Sequence, residues 1–201
     1  MIKKIKIEFN FNLILIIIKI IIIMSEVLLS IDATNPLYFY GHKKKTDDPG
    51  VGKECLSNWY PASFIDEKDN FEYGNSEQYM MAGKAKLFND MEMLQNILAD
   101  SRPKICKQFG RKVNKFDHKT WDSNCKSIVE NGCYLKFSQN PELKKFLLST
   151  ENRLLVEASP FDKTWGIGHT EKVAKTMNMN EWKGKNYLGE CLMRVRDRLR
   201  K

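Results

Sequence analysis

Histidine is scarce in this sequence. His42, His118 and His169 are the only three in 201 residues, they stand far apart, and no spacing among them supports a metal centre. Cysteine is equally unhelpful to a structural-metal or disulfide reading. Cys55, Cys106, Cys125, Cys133 and Cys191 are odd in number and scattered, without a C-x-x-C pair. Reduced thiols in a cytosol-like compartment are the expectation. A long apolar run is also missing. The most hydrophobic stretch, "LILIIIKIIII" at 13–23, is about half the ~20 residues that a membrane-spanning helix needs, and Lys19 interrupts it. It meets Met24-Ser25-Glu26 rather than the small-residue cleavage site of a signal peptide. Residues 1–30 are therefore expected to be an extension outside the domain, poorly ordered or a short apolar helix, with Met24 as a plausible start. No membrane partner is expected.

What is present is the composition of an ordinary globular domain: 42% hydrophobic and 29% charged. That excludes collagen-like, mucin-like and disordered chains. The formal net charge of +8 invites a nucleic-acid reading. Its placement weakens that reading. Lys3, Lys4, Lys6 and Lys19 crowd the first 23 residues, and Arg194, Arg196, Arg198, Arg200 and Lys201 crowd the last eight, leaving the body nearly neutral. A nucleic-acid footprint is more usually a patch on the body.

The body predicts a helix-rich α+β single domain over 31–201, with a few short strands. "PLYFYGH" at 36–42 and "NFEYGN" at 70–75 read as short strands, and "RLLVEA" at 153–158 is the best strand candidate. Asn75 or Ser76 can cap a helix beginning at Glu77. Further helical segments follow at 89–99, from Pro103 to Gly110, from Lys119, from Pro141 and from Leu188. The last carries Leu188, Leu192, Val195 and Leu199 as an apolar stripe with arginines outside it.

Three places stand out for chemistry. In "GNSEQYMMAGKA" at 74–85, Glu77 falls in a first helical turn, where the helix dipole favours a carboxylate, and Lys84 follows two turns later on nearly the same face. Spacing alone favours a helix-start acid with an unrelated surface lysine. Trp121 sits near a helix start beside Asp122, where spacing alone favours a core residue. Where the 153–158 strand ends, the chain carries Glu157 and then, in the stretch "SPFDKTWGIGHT" at 159–170, Asp162, Trp165, Gly166 and Gly168. Loops leaving strand ends commonly hold functional groups. "GKNYLG" at 184–189 puts Asn186 before the last helix, either as a cap or as an amide that orients a polar ligand.

Taken in order, "CLSNWYPASF", "NSEQYMMAGKA", "FGRKV", "LLVEASPFDKTWGIG" and "WKGKNYLGECLMRVR" resemble the YbiA-like, or NADAR, family from about Tyr38 to Arg196. The resemblance implies an N-glycosidase that needs no metal or organic cofactor. It implies Glu77 as the key catalytic carboxylate, with Asp162 as its assistant, and a binding set of Trp121, Trp165, Lys84, Arg111, Asn186 and Gly166. Two positions depart from the family pattern: Gln78 stands where histidine is common, and Gly83 where glutamine is common.

Breaking an N-glycosidic bond builds positive charge on the sugar, which a fixed carboxylate can stabilise while activating water. Indole faces suit a base or sugar, and Lys84 and Arg111 suit a phosphate. One branch of the resemblance implies phosphorylated ribosyl-pyrimidine intermediates of the riboflavin pathway as substrate. Another implies ADP-ribose on guanine in nucleic acid, which the basic C-terminal helix mildly favours. A non-catalytic module binding nucleotide or ADP-ribose is the third reading, although an anion binder gains little from a carboxylate in its pocket.

Overall fold

The structure is a computed structural model that describes residues 31–44 and 50–201. The expected extension at 1–30, and residues 45–49 of the charged loop, lie outside the described residues. Strand β1 (Asp32–Phe39) pairs in parallel with β4 (Arg153–Glu157), through Leu37↔Leu155, Tyr38↔Val156 and Phe39↔Glu157. Strands β2 (Phe64–Asp66) and β3 (Phe71–Tyr73) form a separate antiparallel pair. Among the described residues seven α-helices accompany them: α1 (Ser76–Leu87), α2 (Met91–Leu98), α3 (Pro103–Arg111), α4 (His118–Gln139), α5 (Pro141–Ser149), α6 (Glu171–Ala174) and α7 (Tyr187–Leu199). The expected helix-rich α+β class is what the chain adopts.

Local chemistry sets most of these boundaries. The Asn75 side chain accepts from the backbone N–H of Gln78 at 2.9 Å and so starts α1, an N-cap worth typically about 1 kcal/mol. Asp90 and Asp117 cap α2 and α4 in the same way. Pro103 and Pro141 occupy first-turn positions, where a missing N–H costs nothing. Gly110, expected to end α3, lies inside it instead. There a Cβ would stand 2.0 Å from the Met81 sulfur, so the glycine permits close contact between α3 and α1.

Helix α1 is the axis of the domain. It packs on α2, α3 and α4, and Ser76, Glu77, Gln78, Met80, Met81, Ala82 and Ala85 are all buried. With neighbours on so many sides it needs no single apolar stripe. The core around it includes Phe39, Leu56, Phe64, Tyr73, Phe137, Leu147, Leu155 and Leu192, each contributing roughly 1.5–3 kcal/mol by leaving water.

Helix α7 corrects one expectation. Its arginines are not all outside the apolar stripe. Arg196 is buried and donates to Thr150 Oγ1 at 3.0 Å and to the Arg153 carbonyl at 2.9 Å. Arg198 stacks 3.4 Å from the Tyr134 ring centroid, and Arg200 donates to Asn152 Oδ1 at 2.8 Å. Much of the terminal charge is spent on the fold. All five cysteines are free and buried. Among the described residues no helix is long and apolar enough to cross a membrane.

Candidate active site

The loop leaving β4 is laid against the segment that enters α7. Backbone N–H groups of Lys185, Asn186, Tyr187 and Leu188 donate to the carbonyls of Lys163, Gly166, Thr164 and Trp165 at 3.0–3.2 Å. Asn186 holds the junction. It adopts a left-handed backbone (φ 53°), its Oδ1 accepts from the Glu157 N–H at 3.0 Å, and its Nδ2 donates to the Leu155 carbonyl at 2.9 Å. Gly189 lets α7 start directly on β4: a Cβ there would lie 2.1 Å from the Leu155 carbonyl oxygen.

This arrangement encloses a cavity of about 500 Å³. Glu77 enters it from the first turn of α1. Glu157 enters from the end of β4, and Asp162 and Trp165 from the loop beyond. Lys107 and Arg111 reach it from α3, one turn apart. Aromatic groups complete the wall: Tyr40 and His42 after β1, Trp59 before α1, and Phe161, whose ring is 88% exposed at the mouth.

The electrostatics are unusual for a small surface hollow. Glu77 is 3% exposed, and its Oε1 has no hydrogen-bond partner among the described residues. Burial pushes its pKa up to about 7. The charges of Lys107 and Arg111 and a hydrogen bond from Trp59 oppose that rise, and the charge of Asp162 adds to it. Desolvation therefore outweighs the favourable helix-dipole position, which is worth at most ~1 kcal/mol at a typical site. Glu157 behaves alike. Its Oε2 is buried without a partner, and burial, reinforced by Asp162 and opposed by Lys107, pushes its pKa up to about 8. Asp162 is different, because its Oδ1 accepts from the N–H groups of Thr164 and Trp165 at 2.9 and 2.8 Å. Neither Lys107 nor Arg111 forms an ion pair with a protein carboxylate among the described residues, which leaves both cations for an anionic ligand. No group of three His, Cys, Asp or Glu side chains among the described residues is placed to share a metal ion.

Of the residues singled out by sequence, Glu77, Asp162, Trp165 and Arg111 meet at this cavity. Four others stand apart from it. Lys84 lies over Phe116 at 4.0 Å and near Trp121 at 5.5 Å, forming a box at the far end of α1. Gly166 sits under the loop, where a Cβ would press on the Glu157 carbonyl at 2.9 Å. Asn186 spends its amide on β4. The two departures from the family pattern also lie off the cavity. Gln78 accepts from Gly74 N–H at 2.9 Å and donates to the Ile97 carbonyl at 3.0 Å, and Gly83 abuts Ile128. The sequence names Glu157 only as one of the groups at the strand end, and it gives Lys107, Trp59 and Phe161 no role. Two signals were available: an acid closing an apolar strand, and a cation four residues before Arg111 on one helix face.

Two buried glutamates, each with one oxygen lacking a partner among the described residues, beside two cations and several aromatic faces, give the cavity the make-up of an acid–base site. The chain belongs to the NADAR domain family, whose family model matches residues 38–200. It is 43% identical to an N-glycosidase of Acanthamoeba polyphaga mimivirus over 164 residues, 80% of this chain and 94% of that protein. It is 32% identical to N-glycosidase YbiA of Escherichia coli over 131 residues, 65% and 73% of the two chains. Protein irg-1 of Caenorhabditis elegans is 36% identical over 158 residues, 72% of this chain and 74% of that one. The fold resembles the NMR structure of E. coli YbiA, with a TM-score of 0.65 and 25% identity over 85% of this chain and 88% of that one.

Proposed function

We propose that this chain hydrolyses the N-glycosidic bond of a phosphorylated ribosyl-pyrimidine of the riboflavin pathway, in a cytosolic damage-pre-emption role. Membership in a family with named N-glycosidases supports the reaction class. One observation carries the reading: a buried carboxylate, Glu77, faces a cavity that also presents Asp162, Trp165 and two unpaired cations. Glu77 stabilises positive charge growing on the ribose and takes a proton from the attacking water, a role suited to a group titrating near neutrality. Asp162 orients the ribose or the water. Lys107 and Arg111 receive the phosphate, and Trp165 and Phe161 flank the flat base. A cavity of about 500 Å³ lies within the range that small-ligand sites occupy.

A second reading has its own observation. A neighbouring hollow of about 440 Å³ shares Tyr40 with the first and carries Lys43, Lys53 and Lys172, room for the remainder of an ADP-ribosyl group. One panel separates the readings: a ribosylaminopyrimidine phosphate, ADP-ribosylated DNA and free NAD, each followed for release of base or ribose. Release from the first alone supports the proposal. Release from the DNA alone transfers it to the second reading, and binding without release in any arm overturns both.

A further inference from the structure

Hydrolysing an N-glycoside with a poor leaving group takes two proton-handling groups, and Glu77 supplies one. The leaving nitrogen needs the other. Asp162 is a weak candidate. It is half-buried, and one of its carboxylate oxygens is already taken up by two backbone N–H groups of its own loop. Glu157 differs in each respect. Its side chain is 8% exposed and lines the same cavity as Glu77. Its Oε2 is buried and has no partner among the described residues. Its backbone is held on both sides, by pairing with Phe39 of β1 and by the Asn186 amide, so the carboxyl group is delivered from a rigid strand end. A buried carboxyl oxygen left without a partner at a ligand cavity is the arrangement expected of a group whose partner is the ligand.

We propose that Glu157 is the proton donor to the departing nitrogen, a catalytic residue additional to Glu77; this rests on the N-glycosidase reading above. The Glu157 carboxyl gives its proton to the nitrogen as the ribose C1–N bond breaks, and the bonding electron pair leaves with that nitrogen. Water adds its oxygen to C1 and yields a proton to the Glu77 carboxylate. The sum is ribose hydroxyl plus free base. Glu157 regains a proton from solvent as Glu77 releases one.

The charged and titratable groups that face Glu157 across the cavity are Asp162 from its own loop, Lys107 and Arg111 from α3, Glu77 from α1, and Tyr40 and His42 from the segment after β1. Burial and Asp162 hold the proton on Glu157, with a pKa raised to about 8, while Lys107 acts against them. Burial thus holds a proton on Glu157 at neutral pH, the state that a donor requires.

The test uses the full chain and two substrates: a ribosylaminopyrimidine phosphate, whose amine must be protonated to leave, and an N-ribosylpyridinium phosphate, whose pyridine departs neutral without a proton. Glu157→Gln should slow the first by roughly 100-fold or more and remove the alkaline fall in kcat/KM near pH 8, while leaving the second within a few-fold of wild type. Glu77→Gln should slow both. Glu157→Asp keeps a carboxylic acid and should retain the alkaline limb at a reduced rate, which separates proton donation from collapse of the strand end. Equal losses on both substrates in Glu157→Gln would overturn the assignment, and so would an intact alkaline limb. A wild-type chain that cleaves neither substrate overturns the hydrolase reading and takes this assignment with it.

Discussion

The floor of the core beneath residues 53–57 and the wall of the cavity each bury an ionisable side chain, and they treat it in opposite ways. Lys136, 1% exposed on α4, donates to the carbonyls of Cys55 and Ser57 at 2.7 and 2.9 Å. Burial lowers its pKa to about 8, but its head group has partners and also lies near the Tyr60 and Phe137 rings, at 5.4 and 5.2 Å from their centroids. Glu77 and Glu157, nearly as buried, each keep one oxygen without a partner among the described residues. A folded chain rarely leaves such groups unsatisfied, because each costs roughly 1–3 kcal/mol. Where the structure needs a buried charge it supplies partners. Where the cavity has one, the partner is left for a ligand.

That contrast breaks most visibly in stability. Glu77→Gln should raise the unfolding free energy at alkaline pH by roughly 3 kcal/mol, from the rise of about 4.5 to about 7 on folding. The sign follows from the raised pKa. The folded state binds the proton more tightly, so wild-type stability is intact below about pH 4.5 and declines as pH rises through 7. The substitution therefore gains nothing in acid and most in base, which thermal or urea unfolding across pH would read. Lys136→Met should show a much smaller net change at neutral pH, because relief of the burial that lowers the lysine pKa to about 8 offsets the two orphaned carbonyls, at roughly 1–3 kcal/mol each, with kcat/KM unchanged.

Smaller effects sharpen the comparison. Phe161 is 88% exposed, so Phe161→Ala should leave the melting temperature alone. It should raise KM about 5- to 10-fold if the ring stacks on the base, an interaction worth roughly 1 kcal/mol. Lys84→Met should have the least effect. Its ammonium group rests on Phe116 and Trp121, away from the cavity, so KM should hold while stability falls by ~0.5–1 kcal/mol. A large change in KM would return Lys84 to the substrate.

The fold was legible wherever the signal is local. Asn75, Pro103, Pro141 and the run Arg153–Glu157 mark helix starts and a strand by short-range chemistry. The parallel pairing of β1 with β4 was not legible, because it joins segments more than a hundred residues apart and nothing in either specifies the partner. The candidate site divides in the same way. Residues 77 and 84 share a helix face as their spacing implies, but two turns put them about 11 Å apart along the axis. Only Glu77 reaches the cavity. Asn186 stood out by its setting between glycines, and its amide ties β4 to α7. Gln78 and Gly83, which differ from the family pattern, hold α1 against α2 and α4, so both departures bear on packing and leave the cavity lining unchanged. Lys107 is marked in the sequence only by its place one turn before Arg111, a weak signal because such a pair is ordinary on any helix. Only the tertiary arrangement turns that face toward Glu77.

The most direct test is single-turnover hydrolysis of a ribosylaminopyrimidine phosphate by wild type and by Glu77→Gln, with the fold of the variant checked by its melting curve. The account predicts a loss of about 100-fold or more in a protein at least as stable as wild type. Near-normal turnover by a folded Glu77→Gln protein would contradict it.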